Sequence, residues 1–254
     1  MDSFINLLYF DKVMNIIAVI GARSGSKSIS EKNIKLFCGK PLIAWTIETA
    51  KKAKFLDRVI VSTDSEKIAK IARRYGAETP FLRPSEFAND STGIEPVLKH
   101  AVEWLKENEN YKTDIVVLLH PTNPLRRANH IDEAIKLLIK KRGHSVIAVS
   151  ELPANHNPYW VFEPSKKNPQ MLVNAKGQDI KDIPVRRQEI PKYYTRNDIL
   201  YVLRVRNLYE KKPNLYGSKQ ELYIMSDFYD ADINTPEEWI LMENKFRRFQ
   251  KTNL

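Results

Sequence analysis

The segment ARSGSKSISEKN (residues 22–33) contains the residue types that bind phosphate groups. It follows the apolar run NIIAVI and combines glycine and serine residues with three cations, Arg23, Lys27 and Lys32. Backbone N–H groups in a glycine-containing turn between a strand and a helix form a concave anion site, to which nearby Lys and Arg add positive charge. The segment matches neither the GxxxxGK[ST] nor the GxGxxG pattern. It therefore predicts an anion-binding loop outside those two classes, with an ordinary polar loop as the alternative.

A second polar turn lies in LLHPTNPLR (residues 118–126) and also follows an apolar run. The strand is predicted to end at His120 and the chain to turn at Pro121, which places Thr122 and Asn123 at the carboxyl edge of the sheet. Open α/β sheets bind their ligands at that edge. Arg126 follows the turn, and the sequence leaves open whether it contacts an anion or lies on the surface where the next helix begins.

The composition limits the class of protein. The chain has 254 residues, 43% of them hydrophobic, and this length suggests one large domain or one with an appendage. Because 41 Lys and Arg outnumber 31 Asp and Glu, the net charge is +10, which favours acidic partners without choosing among nucleotides, sugar acids, nucleic acid and membranes. Cys38 is the only cysteine, which excludes an intrachain disulfide and a multi-cysteine zinc site.

Short apolar runs alternate with longer helical patterns over the first 150 residues, as expected of a parallel sheet with crossover helices. Strands are predicted at residues 15–20, 58–63, 115–120 and 145–150. Helices are predicted at residues 41–54, 65–75, 94–107 and 131–141. The α/β pattern resumes after residue 194 with DILYVLRV, ELYIMS and a final helix from Pro236.

Two segments lie outside this alternation. Residues 151–194 begin with ELPANHNPYWVFEPSKKNPQ, which is rich in Pro, Asn and aromatic residues and predicts an excursion of short strands and turns that projects from the sheet. Residues 1–13 are expected to be an extension outside the fold, with Met14 as an alternative start. FINLLYF is too short for a signal peptide and lacks its flanking signals, and we expect no membrane span. We expect a single domain over residues 14–254.

The motifs together resemble those of the acylneuraminate cytidylyltransferases, the CMP-sialic acid synthetases and their relatives that act on legionaminic and similar nonulosonic acids. The first loop has the family's Ala-Arg, Ser-Lys and Lys-Asn pairs. The other matching segments are VSTDSEKIAKIARRYGAE, LRPSEFANDST, LLHPTNPLR, RRQEIPKYYTRNDILY and DADINTPEEW. The resemblance covers nearly the whole chain. It implies an α/β fold with a Rossmann-like, mostly parallel sheet and flanking helices, of the nucleotide-diphospho-sugar transferase type.

The resemblance implies which residues bind CTP. The residues that would hold its triphosphate lie in the first loop and are Ala22, Arg23, Ser26, Lys27, Lys32 and Asn33. Arg83 and Asp90 would line the same pocket. A surface arginine and an N-cap of the following helix are the respective alternatives. The loop departs from the family pattern at Ser30, where Pro is usual, and this change is expected to loosen the loop slightly.

The resemblance also implies an acceptor site for the sugar acid. Its residues would be His120, Thr122, Asn123, Arg187 and Asn197. The family usually has Gln at the position of His120 and Gly at that of Asp198, so the chain departs from the family pattern twice within this site. A sugar carboxylate calls for a bidentate arginine, and the sequence leaves open which one serves.

The segment DADINTPEEW resembles the acidic metal segment of the family. Mg²⁺, or Mn²⁺ in its place, prefers oxygen ligands and is usually held by one or two carboxylates together with substrate phosphates and water. The resemblance implies Asp232 as a ligand, and Asn234 as a weaker one where the family has a second Asp. The alternative is that Asn234, Thr235 and Pro236 only cap the last helix.

The predicted activity is transfer of CMP from CTP to the anomeric hydroxyl of a nine-carbon α-keto acid sugar, with release of pyrophosphate. The expected catalytic residues are Arg23, Lys27 and Lys32, which would stabilise the pyrophosphate, and Asp232, which would hold the metal. The alternatives are activation of the eight-carbon keto-deoxy-octulosonate and a paralogue that binds nucleotide without turnover.

The resemblance implies further properties of the assembly. Residues 151–194 would reach over a second copy to form a homodimer, in which Arg187 would serve the active site of the partner. A nucleic-acid partner is disfavoured, because the positive charges are dispersed along the predicted helices rather than gathered on one face. We expect a cytoplasmic protein.

Overall fold

A six-stranded sheet forms the centre of the computed structural model, which describes residues 14–89 and 92–251. The strands, in the order in which they lie side by side, are β10 (Gln220–Met225), β6 (Ser145–Glu151), β9 (Tyr194–Arg204), β5 (Ile115–Leu119), β1 (Ile16–Gly21) and β4 (Arg58–Ser62). All are parallel except β9, which is antiparallel to both of its neighbours. The predicted mostly parallel sheet is therefore confirmed. The expected extension at residues 1–13 and the predicted nucleotide ligand Asp90 lie outside the described residues.

Helices cover both faces of the sheet. They are α1 (Leu42–Lys51), α2 (Glu66–Arg74), α3 (Ile94–Glu109), α4 (Ala128–Lys141) and α5 (Pro236–Lys251). The four predicted strands agree with β1, β4, β5 and β6 to within one residue at each end. Short strands β2 (Leu36–Phe37) and β3 (Lys40–Pro41) form a small hairpin before α1, and β7 (Phe162–Pro164) pairs with β8 (Leu172–Asn174) within the segment 151–194.

Two predicted helix ends are each wrong by three residues, and one aspartate and one histidine explain these errors. The first helix was expected to continue to residue 54, but it ends at Lys51, because Asp132 Oδ1 accepts hydrogen bonds from the backbone N–H groups of Lys54 (2.8 Å) and Phe55 (3.2 Å). The fourth was expected from residue 131 but begins at Ala128. There His130 Nδ1 accepts from a backbone N–H of the preceding turn, an uncommon cap that the sequence does not signal.

Successive residues of β1 pack alternately into the cores on the two faces of the sheet, as a sheet covered on both faces requires. In β1, Ile16, Ala18 and Ile20 pack with α1, α2 and α4 on one face. Ile17 and Val19 pack with α3 on the other. Every residue of the β1 run from Ile17 to Ile20 is fully buried. The two loops that follow β1 and β5 are thereby fixed side by side at the carboxyl edge, where the chain order reverses from β4 to β5 across β1.

Helix α5 packs against the small hairpin rather than against the sheet. The ring of Phe37 meets the ring of Trp239 edge-on at 5.4 Å between centroids, and the ring of Phe246 at 5.3 Å. Leu42, Leu125 and Ile233 belong to the same buried cluster. Because Ile233 lies only three residues before the start of the helix, this packing brings the acidic segment 230–234 back to the loop that follows β1.

Acidification is expected to destabilise the fold through His130. Burial lowers the pKa of this imidazole to about 4, against the opposing charge of Glu133. An unfolded histidine titrates near pH 6.5, so the unfolded chain takes up its proton first as the pH falls. The free energy of unfolding should therefore be retained above about pH 6.5 and should decrease by up to about 3 kcal/mol between there and pH 4.

Chemical denaturation at several pH values of wild type and of a His130→Gln variant tests this expectation. The variant should be less stable at neutral pH, because the packing of the ring edge-on against Tyr229 at 4.5 Å is lost. Between about pH 6.5 and pH 4, its free energy of unfolding should decrease by up to about 3 kcal/mol less than that of the wild type. Parallel pH profiles for the two proteins would contradict the assignment to His130.

Candidate functional site

The loop after β1 is anchored to β4 and to the residues that follow it. The backbone N–H of Ala22 donates to Ser62 O (3.0 Å). Asp64 accepts from both the backbone N–H (2.8 Å) and the hydroxyl (2.6 Å) of Ser24. The backbone N–H of Ser26 donates to Ser24 O (3.0 Å), which makes a tight turn. These bonds fix the start of the loop to the end of β4 and to Asp64. The exposed Lys27 lies beyond the turn.

Asn33 and Lys32 close the far side of the loop. The Asn33 side chain is buried, and its amide donates to Arg23 O (3.0 Å) across the loop. The Lys32 ammonium donates to Ile233 O (2.9 Å) of the acidic segment. Burial lowers the pKa of Lys32, while the charges of Asp232 and Glu238 raise it and that of Arg23 lowers it. The predicted phosphate ligands Arg23, Lys32 and Asn33 therefore lie together.

Arg83 lies beneath this loop as a buried cation. It is 7% exposed, so the alternative of a surface arginine is wrong. Its Nη2 and Nε donate to the backbone oxygen (2.5 Å) and hydroxyl (3.1 Å) of Ser62. Burial lowers its pKa to about 10, partly offset by the charge of Asp64. An anionic ligand in the loop above would supply a counter-charge to Arg83 and favour its charged form.

The loop after β5 holds three of the predicted acceptor residues. His120 is half-buried and directly follows the strand. Thr122 O accepts the backbone N–H of Ile233 (3.2 Å), which joins this loop to the acidic segment. The Asn123 amide nitrogen donates to Asn197 O (3.3 Å), and its buried Oδ1 accepts no hydrogen bond from the described residues. A buried acceptor of this kind is costly without a partner.

Arg126 holds the loop after β5 in place. It is 2% exposed, so the interpretation as a surface charge is wrong. Its guanidinium donates to His120 O (2.9 Å), to Ile199 O (2.6 Å) and to the hydroxyl of Thr46 (3.2 Å). Burial lowers its pKa to about 9. Arg126 therefore connects the loop to β9 and α1, with its donors directed at protein oxygens.

A large bulge in β9 brings further side chains to the same edge. Opposite β6, the register passes from Ile147–Tyr201 to Val149–Arg196, so four residues of β9 face one of β6. The bulged residues 197–200 lie beyond the last pair that β9 forms with β5, Leu118–Tyr201. Bulges re-aim side chains and are frequent beside active sites.

Asn197 is the predicted acceptor residue within the bulge. Its side chain is buried and is bonded within the protein: the amide nitrogen donates to the Ser150 hydroxyl (3.1 Å), and Oδ1 accepts the Ile199 N–H (3.3 Å). Its position beside Asn123 places it at the candidate acceptor site. The structure shows it first as a support for the bulge, and its contact with sugar stays a prediction.

The acidic segment carries both predicted metal ligands. Asp232 is partly exposed and its Oδ2 accepts from the Asn234 amide (2.7 Å). The Ser28 hydroxyl donates to Asn234 O, a second link from the loop after β1. Helix capping is also present, through Thr235 and Glu238: each side chain accepts from the backbone N–H of the other, at 3.2 and 3.0 Å. Capping thus leaves Asp232 available as a ligand.

The structure does not place every predicted residue at this edge. Arg187 lies in the short 3₁₀ turn Arg187–Glu189 of the segment 151–194 and is exposed.

The sequence analysis did not predict two further residues that contact the candidate site. Asp64 contacts the loop after β1 from its place just after β4, and Tyr201 contacts the bulge from within β9. For Asp64 the signal was its place just after a strand, but its partner Ser24 is 40 residues away.

The fold and these contacts define an α/β protein with a nucleotide-type site at the switch point of its sheet. The predicted phosphate loop, the predicted acceptor loop and the acidic segment converge there. The chain belongs to the cytidylyltransferase family, whose model matches residues 17–251. In the described part of the chain, no helix is long and apolar enough to cross a membrane.

Several known proteins are similar to this chain. The CMP-N,N'-diacetyllegionaminic acid synthase of Legionella pneumophila is 33% identical over 237 residues, which cover 91% of this chain and 95% of that protein. The pseudaminic acid cytidylyltransferase of Campylobacter jejuni is 36% identical over 54% of this chain and 59% of its own. A solved CMP:2-keto-3-deoxy-manno-octonic acid synthetase shares the fold, with a TM-score of 0.66 at 16% identity over 93% of this chain and 99% of that one.

Proposed function

We propose that this protein transfers CMP from CTP to the anomeric hydroxyl of a nine-carbon α-keto acid sugar and releases pyrophosphate. One observation carries the proposal: Lys32 of the phosphate loop and Thr122 of the acceptor loop both bond the backbone of Ile233, next to Asp232. Cations for a triphosphate, polar groups for an acceptor and a carboxylate for a metal therefore share one site. The names of the relatives support CTP and a nonulosonic acid as substrates.

The phosphate loop would bind the triphosphate and stabilise the departing pyrophosphate. The anomeric hydroxyl gives up its proton to solvent water as its oxygen attacks the α-phosphorus in line. The bond from that phosphorus to the oxygen that bridges to the β-phosphorus breaks, and pyrophosphate leaves with the electron pair. Arg23, Lys27 and Lys32 would neutralise the charge that develops on it. Positioning and such preorganised charge supply most of the rate in phosphoryl and nucleotidyl transfer.

The acidic segment fits a Mg²⁺ ion, or Mn²⁺ in its place. Among the described residues no group of three His, Cys, Asp or Glu side chains is arranged to hold a metal. A magnesium site shared with substrate phosphates needs only one or two protein carboxylates, and the partly exposed Asp232 provides one. The Asn234 carbonyl would serve as a weaker ligand. When bound, the ion neutralises phosphate charge and polarises the α-phosphate.

A homodimer and a cytoplasmic location complete the proposal. The segment 151–194 exposes a set of apolar side chains, Val161, Phe162, Met171, Leu172, Ile180 and Val185. Exposed apolar clusters mark interaction surfaces, and a second copy of this chain is the proposed partner. Light scattering should give twice the chain mass, and a Val185→Glu, Phe162→Glu double variant should give the mass of one chain. A single-chain mass for the wild type would contradict this assembly.

Pyrophosphate release is the test of the proposed activity. Purified protein with CTP and Mg²⁺ is offered sialic, legionaminic, pseudaminic and keto-deoxy-octulosonic acids in parallel. Release with a nine-carbon acid supports the proposal, and release with the eight-carbon acid alone favours the alternative acceptor. Folded protein that binds CTP but releases no pyrophosphate with any acid would contradict it and indicate a nucleotide-binding protein without turnover.

A further inference from the structure

The bulge of β9 carries a residue in an unfavourable backbone conformation. Asp198 has φ of 52°, in the left-handed region that glycine and, less readily, asparagine occupy. A non-glycine residue held there costs on the order of a kilocalorie per mole and persists where the surroundings compensate. Because bulges and left-handed residues concentrate at functional sites, the side chain of Asp198 is the feature to be explained.

One neighbour fixes this side chain. The Tyr201 hydroxyl donates a hydrogen bond to Asp198 Oδ1. Burial, and then the hydrogen bond and charge of Asp198, raise the pKa of Tyr201, so the phenol keeps its proton and acts as the donor. An ionised carboxylate accepts about four hydrogen bonds, so Asp198, which is half-buried, has further capacity for a ligand.

Tyr201, which holds the Asp198 carboxylate, packs against the acceptor loop. The rings of Tyr201 and His120 meet edge-on at 6.3 Å between centroids. Burial lowers the pKa of His120, and the charge of Asp198 acts on that imidazole in the opposite direction. Asp198 and His120 are 78 positions apart in the sequence. They nevertheless lie near each other, at the end of β5 where the acceptor is expected. They are also the two positions at which the acceptor motifs of this chain are unusual.

We propose that Asp198 is a specificity-determining residue of the acceptor site, whose carboxylate, fixed by Tyr201 beside His120, accepts hydrogen bonds from N–H or O–H groups of the bound sugar acid. The inference rests on the proposed function. The carboxylate of the sugar would be repelled by Asp198, so Asp198 contacts the ring or side chain of the sugar remote from that group. Hydroxyl and acylamino groups there are the donors it selects.

Two variants separate this role from a structural one. Asn tolerates the left-handed conformation and still accepts from Tyr201, so Asp198→Asn removes the charge and replaces one acceptor oxygen by an N–H donor without changing the size of the side chain. Gly adopts the conformation without cost, so Asp198→Gly removes the side chain. A purely structural role, in which Asp198 only supports Tyr201, predicts that Asp198→Asn keeps wild-type kinetics and that only Asp198→Gly, which loses the bond from Tyr201, is affected. Asp227→Asn, an exposed carboxylate on the turn after β10, is the matched control for the loss of one negative charge.

Steady-state kinetics of pyrophosphate release give the answer. Charge-assisted hydrogen bonds are worth about 1.5 to 3 kcal/mol, so the KM for the preferred sugar acid should rise roughly 10- to 100-fold in both Asp198 variants. The KM for CTP should stay within about twofold, and discrimination among acids with different hydroxyl and acylamino patterns should shrink. The control should match the wild type.

Three outcomes would overturn the inference in distinguishable ways. A wild-type protein active on a sugar acid, with unchanged sugar KM and unchanged discrimination in both Asp198 variants, overturns the role of Asp198 alone. A wild-type protein that binds CTP and turns over no sugar acid overturns the proposed function and this inference with it. Equal rises in the KM for CTP and for sugar would also contradict a role in the acceptor site.

Discussion

Replacement of Asp232 by alanine is expected to lower kcat for pyrophosphate release by about two to three orders of magnitude, the effect of losing one preorganised charge contact to the reacting phosphate. Asp232 is the proposed metal ligand, and its charge also raises the pKa of Lys32, against the larger effect of burial. Magnesium titrations of the rate should show a higher half-saturating concentration, and circular dichroism should show an unchanged fold.

Asn234→Ala is the matched control for this loss. It removes the same hydrogen bond between the two side chains, Asn234 to Asp232 Oδ2, but keeps the carboxylate. Its rate should fall by less than about tenfold, because an amide carbonyl is a weaker ligand than a carboxylate. A rate within about threefold of wild type for Asp232→Ala, or equal losses for the two variants, would show that the carboxylate does not serve the reaction.

Replacement of Arg126 by methionine is expected to lower the free energy of unfolding by about 2 to 4 kcal/mol. The two backbone oxygens and the threonine hydroxyl that Arg126 now bonds would stay buried without that donor, and each such loss costs about 1 to 3 kcal/mol. The variant no longer buries a cation, which offsets part of this loss in the free energy of unfolding. The KM for the sugar acid should rise as well, because Arg126 holds both His120 and the bulge at Ile199.

Arg127→Met provides the control, since the neighbouring arginine undergoes the same chemical change. Arg127 packs its guanidinium over the ring of Phe249 at 4.9 Å, a contact worth about 0.5 to 1 kcal/mol. Its loss should cost less than about 1 kcal/mol in urea denaturation. If both variants unfold at the same urea concentration as the wild type, Arg126 does not hold the loop.

Arg126 and Arg127 also show why part of the site could not be predicted from the sequence. The two residues are adjacent and chemically identical, and only the position of β9 relative to β5 makes one of them a buried connector. The anchoring of Ser24 by Asp64 depends in the same way on β4 lying beside β1. Contacts between elements distant in the chain require the strand order, which local patterns do not encode.

The strands and the phosphate loop were predictable because their signals are local. Short β-branched apolar runs such as NIIAVI are typical of strands covered on both faces, and Arg23, Lys32 and Asn33 lie within one turn-rich segment. The bulge at residues 197–200 was not predictable, since DILYVLRV reads as a regular strand. Asp198 was noted as an unusual residue, but its left-handed conformation and its bond to Tyr201 depend on the register of β9 against β6.

The most direct test of the proposed reaction follows the oxygen of the acceptor. Wild-type protein is incubated with CTP, Mg²⁺ and a nine-carbon α-keto acid sugar labelled with ¹⁸O at its anomeric hydroxyl, and the products are analysed by mass spectrometry. The predicted result is a CMP-sugar that retains the label between sugar and phosphorus, with unlabelled pyrophosphate. Unlabelled CMP together with unchanged sugar acid would contradict nucleotidyl transfer to the anomeric hydroxyl.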